Sequence, residues 1–164
     1  MGIYVNIIET IKERLTVAQA AGNLLESVKK IYIGSRALVE GIADTPSITI
    51  KFINAEETAE SAQYRQVLSN IEVILQVHYG LKDEQNKNIY YDWDNSTGIL
   101  YLIENILDVL NNDTQGNMNP AFDSKLKIHN SPEIGEIVKV GDNMLTCDIK
   151  LKLKSASFFI NGRS

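Results

Sequence analysis

The chain lacks most of what would bind it together or mark it for a particular compartment. Its 164 residues contain one cysteine, Cys147, which excludes an internal disulfide and a cysteine-based zinc site together. Only two histidines are present, His78 and His129. With one cysteine they close no structural zinc site without carboxylates, and no metal-like spacing joins them. Apolar runs last only a few residues, too short for a membrane-spanning helix. The opening MGIYVNIIETIKERL places Glu9, Lys12, Glu13 and Arg14 among its apolar residues, so it does not read as a signal peptide. Neither a phosphate-cradling glycine loop, nor a nucleophile elbow, nor a dinucleotide fingerprint occurs; Gly34-Ser35-Arg36 lacks the spacing that wraps a phosphate. Staples are also unnecessary, since a chain of this length buries roughly 70% of its unfolded surface on folding. At 44% hydrophobic and 23% charged residues, the composition is that of an ordinary globular protein. The expectation is one soluble, cytosolic-type domain over residues 1–164.

Charge is present in both signs but unevenly spread. The formal net charge is −5. Residues 1–54 carry a net +1, residues 55–124 a net −9, and residues 125–164 a net +3. An acidic centre and a basic C-terminal segment suit a subunit that meets copies of itself head to tail, although a solvated acidic surface reads the same way. A sequence pI near 5.1 argues against a nucleic-acid footprint.

Hydrophobic periodicity supplies the elements. Ile3, Ile7, Ile11 and Tyr4, Ile8, Leu15 recur at helical spacing and predict an amphipathic helix over residues 3–16, interrupted at Gly22-Asn23. A short helical turn is expected over 24–30, leading into Ile31-Tyr32-Ile33. Residues 34–46 read as a connector, and 47–53 alternate as a half-buried strand. Residues 54–63 are polar and acidic and read as a surface loop. The stretch 64–79 is predicted as a long strand, with helix as the alternative for Leu68, Ile71 and Leu75. Residues 80–95 read as a polar loop. Ile99, Leu102, Ile103, Ile106, Leu107 and Leu110 form a continuous stripe and predict a helix over 96–111, capped by Asp94, Asn95 or Ser96. Strands are expected over 125–129, 133–140 and 144–158. In the last, Leu145, Cys147, Ile149, Leu151 and Leu153 face one way and Lys150, Lys152 and Lys154 the other. The expected class is α+β, two main helices on one face of a mostly antiparallel sheet.

No residue set points to catalysis. Glu56-Glu57 and Asp83-Glu84 are neighbours in loop sequence, with no apolar surroundings to raise a carboxyl pKa for acid–base work. Asp92-x-Asp94-x-Ser96 resembles the start of a calcium loop, but its sixth position is Thr97 rather than glycine, and its twelfth is Ile103 rather than glutamate. His78 and His129 read as strand-end residues at the sheet surface. The lysine row 150/152/154 reads either as a contact for an acidic partner or as a solvent face or guarded edge strand. No catalytic residue, cofactor or metal site is expected.

Several landmarks occur together in one order: Val28-x-x-Ile31-x-x-Gly34, Pro46-Ser47-Ile48-Thr49-Ile50, a mid-chain strand, an amphipathic helix ending at Asn112, and the alternating residues 145–153. This arrangement resembles the phage tail-terminator and tail-completion (head–tail joining) family, over nearly the whole chain. The resemblance implies a non-enzymatic structural protein of the virion tail or neck, made in the host cytoplasm. Its partners would be copies of itself in a ring, typically a hexamer, together with the tail-tube protein and a neck or connector protein. DNA would only pass through the lumen, and no membrane is involved. Asp83, Glu84, Asp92 and Asp94 are the candidates for an acidic lumen surface that repels passing phosphates. The competing readings are a neck or head-completion protein, a tail-tube subunit, or a small cytosolic ligand-binding domain.

Overall fold

The computed structural model of the chain describes residues 3–34, 44–59, 64–81, 88–111, 127–128 and 132–160. In chain order these form α1 (Ile3–Ala18), β1 (Lys30–Ile33), β2 (Ser47–Ala59), β3 (Tyr64–Gly80), α2 (Ile99–Asn111), β4 (Lys127–Ile128), β5 (Glu133–Ile134), β6 (Val138–Val140) and β7 (Met144–Ile160). The class is α+β, as expected. The sheet runs β1-β2-β3-β7, with β4, β5 and β6 each pairing with a successive stretch of the outer edge of β7. All pairings are antiparallel except β1 with β2. That parallel pair aligns Ile31 with Ile48 and Ile33 with Ile50. Lys29 N–H donating to the Pro46 carbonyl and Gly34 N–H to the Ile50 carbonyl bracket it.

Strand alternation builds one buried face. Ile48 and Ile50 of β2 lie across from Val77 and Leu75 of β3. Val77, Leu75, Val73 and Ile71 lie in turn across from Cys147, Ile149, Leu151 and Leu153 of β7. Residues paired directly across antiparallel strands share a face, so these side chains form a single aliphatic layer. Ile7, Ile11, Leu15 and Ala18 of α1 and Ile99, Leu102, Ile103, Ile106 and Leu110 of α2 complete the same cluster. Each such side chain contributes about 1.5–3 kcal/mol on burial. Tyr4 stacks obliquely on Phe52, with ring centroids 5.4 Å apart, which ties α1 to this face of β2. Arg14 Nη1 donates to the Val109 carbonyl and joins the two helices.

Several boundaries differ from the sequence expectation. Residues 54–59 are strand, not loop, because each has a partner in β3, from Asn54 opposite Glu72 to Ala59 opposite Val67. The register slips between Phe52 and Asn54, so Ile53 forms a bulge. Ladder partners outweigh the low strand propensity of that acidic run; residues 60–63 lie outside the described residues. No helix forms over 24–30. The chain turns with Gly22 at φ +86°, buries Leu25, and is already strand at Lys30. Asn23 Nδ2 donates to the Val17 carbonyl and closes the end of α1. The expected 133–140 strand divides at Gly135, whose N–H donates to the Asp148 carbonyl. A Cβ there would sit 3.2 Å from that same oxygen. Of the expected 125–129 strand, Lys127–Ile128 pairs with β7, and 125, 126 and 129 fall outside the described residues.

The central strands are long for a chain of this size. β3 and β7 are each 17 residues and remain in continuous register. At ~3.3 Å per residue that is about 56 Å, against about 40 Å across for a compact globule of this length. α1 has 16 residues and α2 has 13. Those helices reach only about 24 Å and 20 Å. The paired ladder of β3 and β7 is therefore longer than either helix. Among the described residues, β2 also has no outer partner beyond Ile50. No helix among them is long and apolar enough to cross a membrane.

Candidate interaction surface

The segment 88–98, whose residues 88–95 read from sequence as the end of a polar loop and 96–98 as the start of the helix, is a hydrogen-bonded turn that carries aromatic side chains. Asp92 and Thr97 form an antiparallel bridge, with Asp92 N–H donating to the Thr97 carbonyl at 2.7 Å and Thr97 N–H returning at 3.2 Å. Inside the turn, Asp92 Oδ1 accepts from the N–H groups of Asp94 and Asn95, and Oδ2 accepts from Asn95 Nδ2 at 2.7 Å. This is the local side-chain-to-backbone bonding that lets aspartate and asparagine build turns. Ser96 takes a left-handed φ of +52° to close it.

The turn is locked to α2. The Tyr90 carbonyl accepts from Leu100 N–H in the first turn of the helix, at 3.1 Å. Gly98, at φ +113°, lies so close that a Cβ would meet the Tyr90 carbonyl oxygen at 2.6 Å. The expected cap at Asp94, Asn95 or Ser96 is therefore corrected. The helix begins at Ile99, Gly98 holds the cap position, and those three residues belong to the preceding turn. A carbonyl from outside the helix has satisfied one of its orphan amides.

At the tip of the turn stands Trp93, 77% exposed. Tyr91 meets Tyr101 of α2 edge to face at 6.5 Å between centroids. Trp93, Tyr91, Tyr101, Leu100 and Glu104 line a cleft of about 250 Å³. Large exposed aromatics held on a braced turn are the features that dominate protein interfaces. The signal was present in the sequence as Tyr90-Tyr91-Asp92-Trp93, but polar neighbours hid it from a reading based on averaged hydrophobicity.

Beside this platform runs a wider, open groove of about 720 Å³ between the Thr45–Pro46 turn, the end of β3 and the start of α2. Tyr79 lies in it. Burial pushes the Tyr79 phenol up from its ordinary 10.0, the Gly98 backbone hydrogen bond works the other way, and the Asp92 carboxylate adds to the rise. The phenol is thus neutral at physiological pH and suited to hydrogen bonding rather than to proton abstraction. Thr45 Oγ1 accepts from Gly80 N–H at 3.0 Å and fixes the floor of the groove.

The residues singled out from sequence are scattered. Of the four lumen candidates, Asp92 spends its carboxylate on its own turn, Asp94 is exposed beside Trp93, and Asp83 and Glu84 lie outside the described residues. Glu56 and Glu57 are consecutive residues of β2 rather than loop neighbours, paired with Asn70 and Ser69. His78 is buried at 8% exposure, not at the sheet surface, with Nδ1 3.4 Å from Thr146 Oγ1; His129 lies outside the described residues. Cys147 is buried in the core layer with Sγ 3.4 Å from the Gly135 carbonyl. Lys150 and Lys152 both reach Glu133 of β5, at 3.9 and 3.5 Å. Their strand has neighbours on both sides, so the guarded-edge reading does not apply to β7. Among the described residues, no group of three or more His, Cys, Asp or Glu side chains is placed to hold a metal ion.

These observations give a braced aromatic cleft with an acidic rim, on an aliphatic α+β domain. No protein-family model matches the chain, and no curated protein matches it.

Proposed function

We propose that this chain is a non-enzymatic assembly subunit of a phage or prophage virion, of the tail-terminator kind. It would form a ring, typically a hexamer, that caps the tail tube, stops its polymerisation and docks the neck protein. The observation that carries the reading is the length of the β3–β7 ladder, two strands of 17 residues in continuous register against helices of 16 and 13 residues. A sheet longer than its own helical layer leaves backbone and side chains to be covered by something else, and neighbouring subunits of a closed ring would cover them. The two landmark segments of the resemblance add support, since 28–34 and 46–50 are the stretches that meet in the parallel β1–β2 pair.

In this reading the ring contact is heterologous, joining unlike patches of successive subunits. The acidic middle of the chain and its basic C-terminal segment supply opposite charge for such a contact. Asp94 would belong to the acidic surface that keeps passing DNA from sticking. Solution mass across a concentration series, with negative-stain imaging of the heaviest species, tests the proposal. A closed ring of fixed mass is the expected result. Open-ended cylinders would identify a tube subunit instead, and a monomer at every concentration would return the chain to the small binding domains.

A further inference from the structure

We propose that the cleft formed by Tyr91, Trp93, Leu100, Tyr101 and Glu104 is a docking site for an arginine side chain presented by a partner protein, with the guanidinium against the aromatic rings and paired with Glu104. The inference goes beyond the assembly reading and does not depend on it.

The cleft is preformed. Trp93 stands on a turn held by the Asp92 side chain, the Asp92–Thr97 bridge and the Tyr90–Leu100 bond, so little conformational entropy is lost when a ligand settles there. Its lining is three aromatic rings, one leucine and one carboxylate, with neither lysine nor arginine. The Glu104 carboxylate is exposed on α2 and has no ion pair or hydrogen bond among the described residues. Asp94, beside Trp93, and Asp108, one helical turn beyond Glu104, are exposed as well. Lys29 lines the neighbouring groove rather than this cleft, and Arg14 reaches the later part of α2 at the Val109 carbonyl. The charge at the cleft is therefore of one sign.

That lining selects among ligands. Ring faces are negative and attract a cation, and a free carboxylate beside them favours a cation that carries N–H donors. A quaternary ammonium suits the rings but has no N–H for Glu104. A lysine ammonium is compact and strongly hydrated, so it gives up more water on meeting the rings. A guanidinium is planar and weakly hydrated, stacks on an aromatic face and offers paired N–H groups to a carboxylate. It alone of the three meets both demands. Size and openness choose its source. The cleft holds about 250 Å³, below the roughly 300–1,000 Å³ of sites that enclose small molecules. Trp93, at 77% exposure, leaves it open to solvent. One side chain entering from another protein's surface fits that shape, and tryptophan, tyrosine and arginine are the residues on which such contacts concentrate.

Trp93 is the chain's single tryptophan, so its emission reports directly on the cleft. The full chain is titrated with N-acetyl-arginine methylamide, with the citrulline analogue, which keeps the planar shape but has no charge, and with the lysine analogue. The expected result is a saturable change in Trp93 emission with the arginine probe, about tenfold weaker binding of the citrulline probe, and weaker binding of the lysine probe. Glu104→Gln should weaken the arginine probe about tenfold and leave the citrulline probe unchanged. In Trp93→Ala, amide chemical shifts replace emission, and the arginine-induced shifts at Tyr101 and Glu104 should vanish. Circular dichroism of each variant separates a lost site from a lost fold. An acetylated and amidated Gly-Gly-Arg-Gly-Gly peptide should bind at least as well as the single-residue probe. Exclusion of that peptide would mean that the cleft takes only a free cation and would overturn the protein source. Equal binding of the citrulline probe, or undiminished arginine binding in folded Glu104→Gln, would overturn the guanidinium. An emission shift on concentrating the chain alone would assign the cleft to a second copy and overturn the separate partner.

Discussion

The helix-covered face of the sheet and the 88–98 turn solve opposite problems with different residues. The buried layer is aliphatic apart from Cys147: the largest fully buried side chains among the described residues are isoleucine and leucine. The turn concentrates Tyr90, Tyr91 and Trp93 within four residues and leaves all three exposed. Where the usual globular core uses rings for bulk, this one packs branched chains from two helices and three strands. Among the described residues, no aromatic ring is fully buried in it. The core is held by many weak contacts and tolerates the loss of no single one cheaply. The turn is held by a few hydrogen bonds and one glycine, and its most prominent side chain supports nothing beneath it.

Substitutions sharpen that contrast. Ile106→Ala or Leu75→Ala should cost about 2–5 kcal/mol in urea unfolding, since each empties a fully buried site facing other aliphatics. Gly98→Ala should cost about 1–3 kcal/mol, because the left-handed φ and the nearby Tyr90 carbonyl both oppose a Cβ. Trp93 anisotropy should fall in that variant as the turn loosens, and an unchanged anisotropy would show that Gly98 does not brace it. Asp92→Ala removes three hydrogen bonds in an exposed turn and should cost about 1 kcal/mol, again with lower Trp93 anisotropy.

Raised pH probes both regions. Burial, with Asp148 adding to it, pushes the Cys147 thiol above its ordinary 9.0, and burial pushes the Tyr79 phenol above 10.0. Above those ordinary values the unfolded chain releases each proton before the folded chain does. Stability is therefore complete below 9.0 and falls as pH rises through the raised folded values. The urea midpoint should decline over that range, and Cys147→Ala should flatten the first part of the decline. The smallest effect belongs to Trp93→Ala, which should change stability by no more than about 0.5 kcal/mol despite removing the largest side chain in the protein. A large destabilisation there would mean that the ring supports the fold and is not reserved for a partner.

Much of the core was legible beforehand because its spacing is regular. The stripe from Ile99 to Leu110 and the alternation from Leu145 to Leu153 give the period of their elements and their buried faces directly. The acidic run 54–59 was not legible, since its strand character comes from β3 partners that no local pattern reveals. Lys150 and Lys152 showed their spacing but not their partner, because Glu133 reaches them only through the β5–β7 pairing. The cleft was the least legible. Its residues are modest in number and separated by charges, and Tyr101 lies on a different element from Tyr91 and Trp93.

Periodicity and composition by themselves determined the α+β class, the two helices, the aliphatic face and the uneven charge. Each of these depends on side chains a few positions apart, where backbone geometry sets who meets whom. Only the tertiary structure decided that β1 and β2 run parallel, that His78 is buried, and that Trp93 stands on a braced turn beside Tyr101. Those facts depend on contacts between segments far apart in the chain, and the free energy of such contacts is settled by packing rather than by the local sequence.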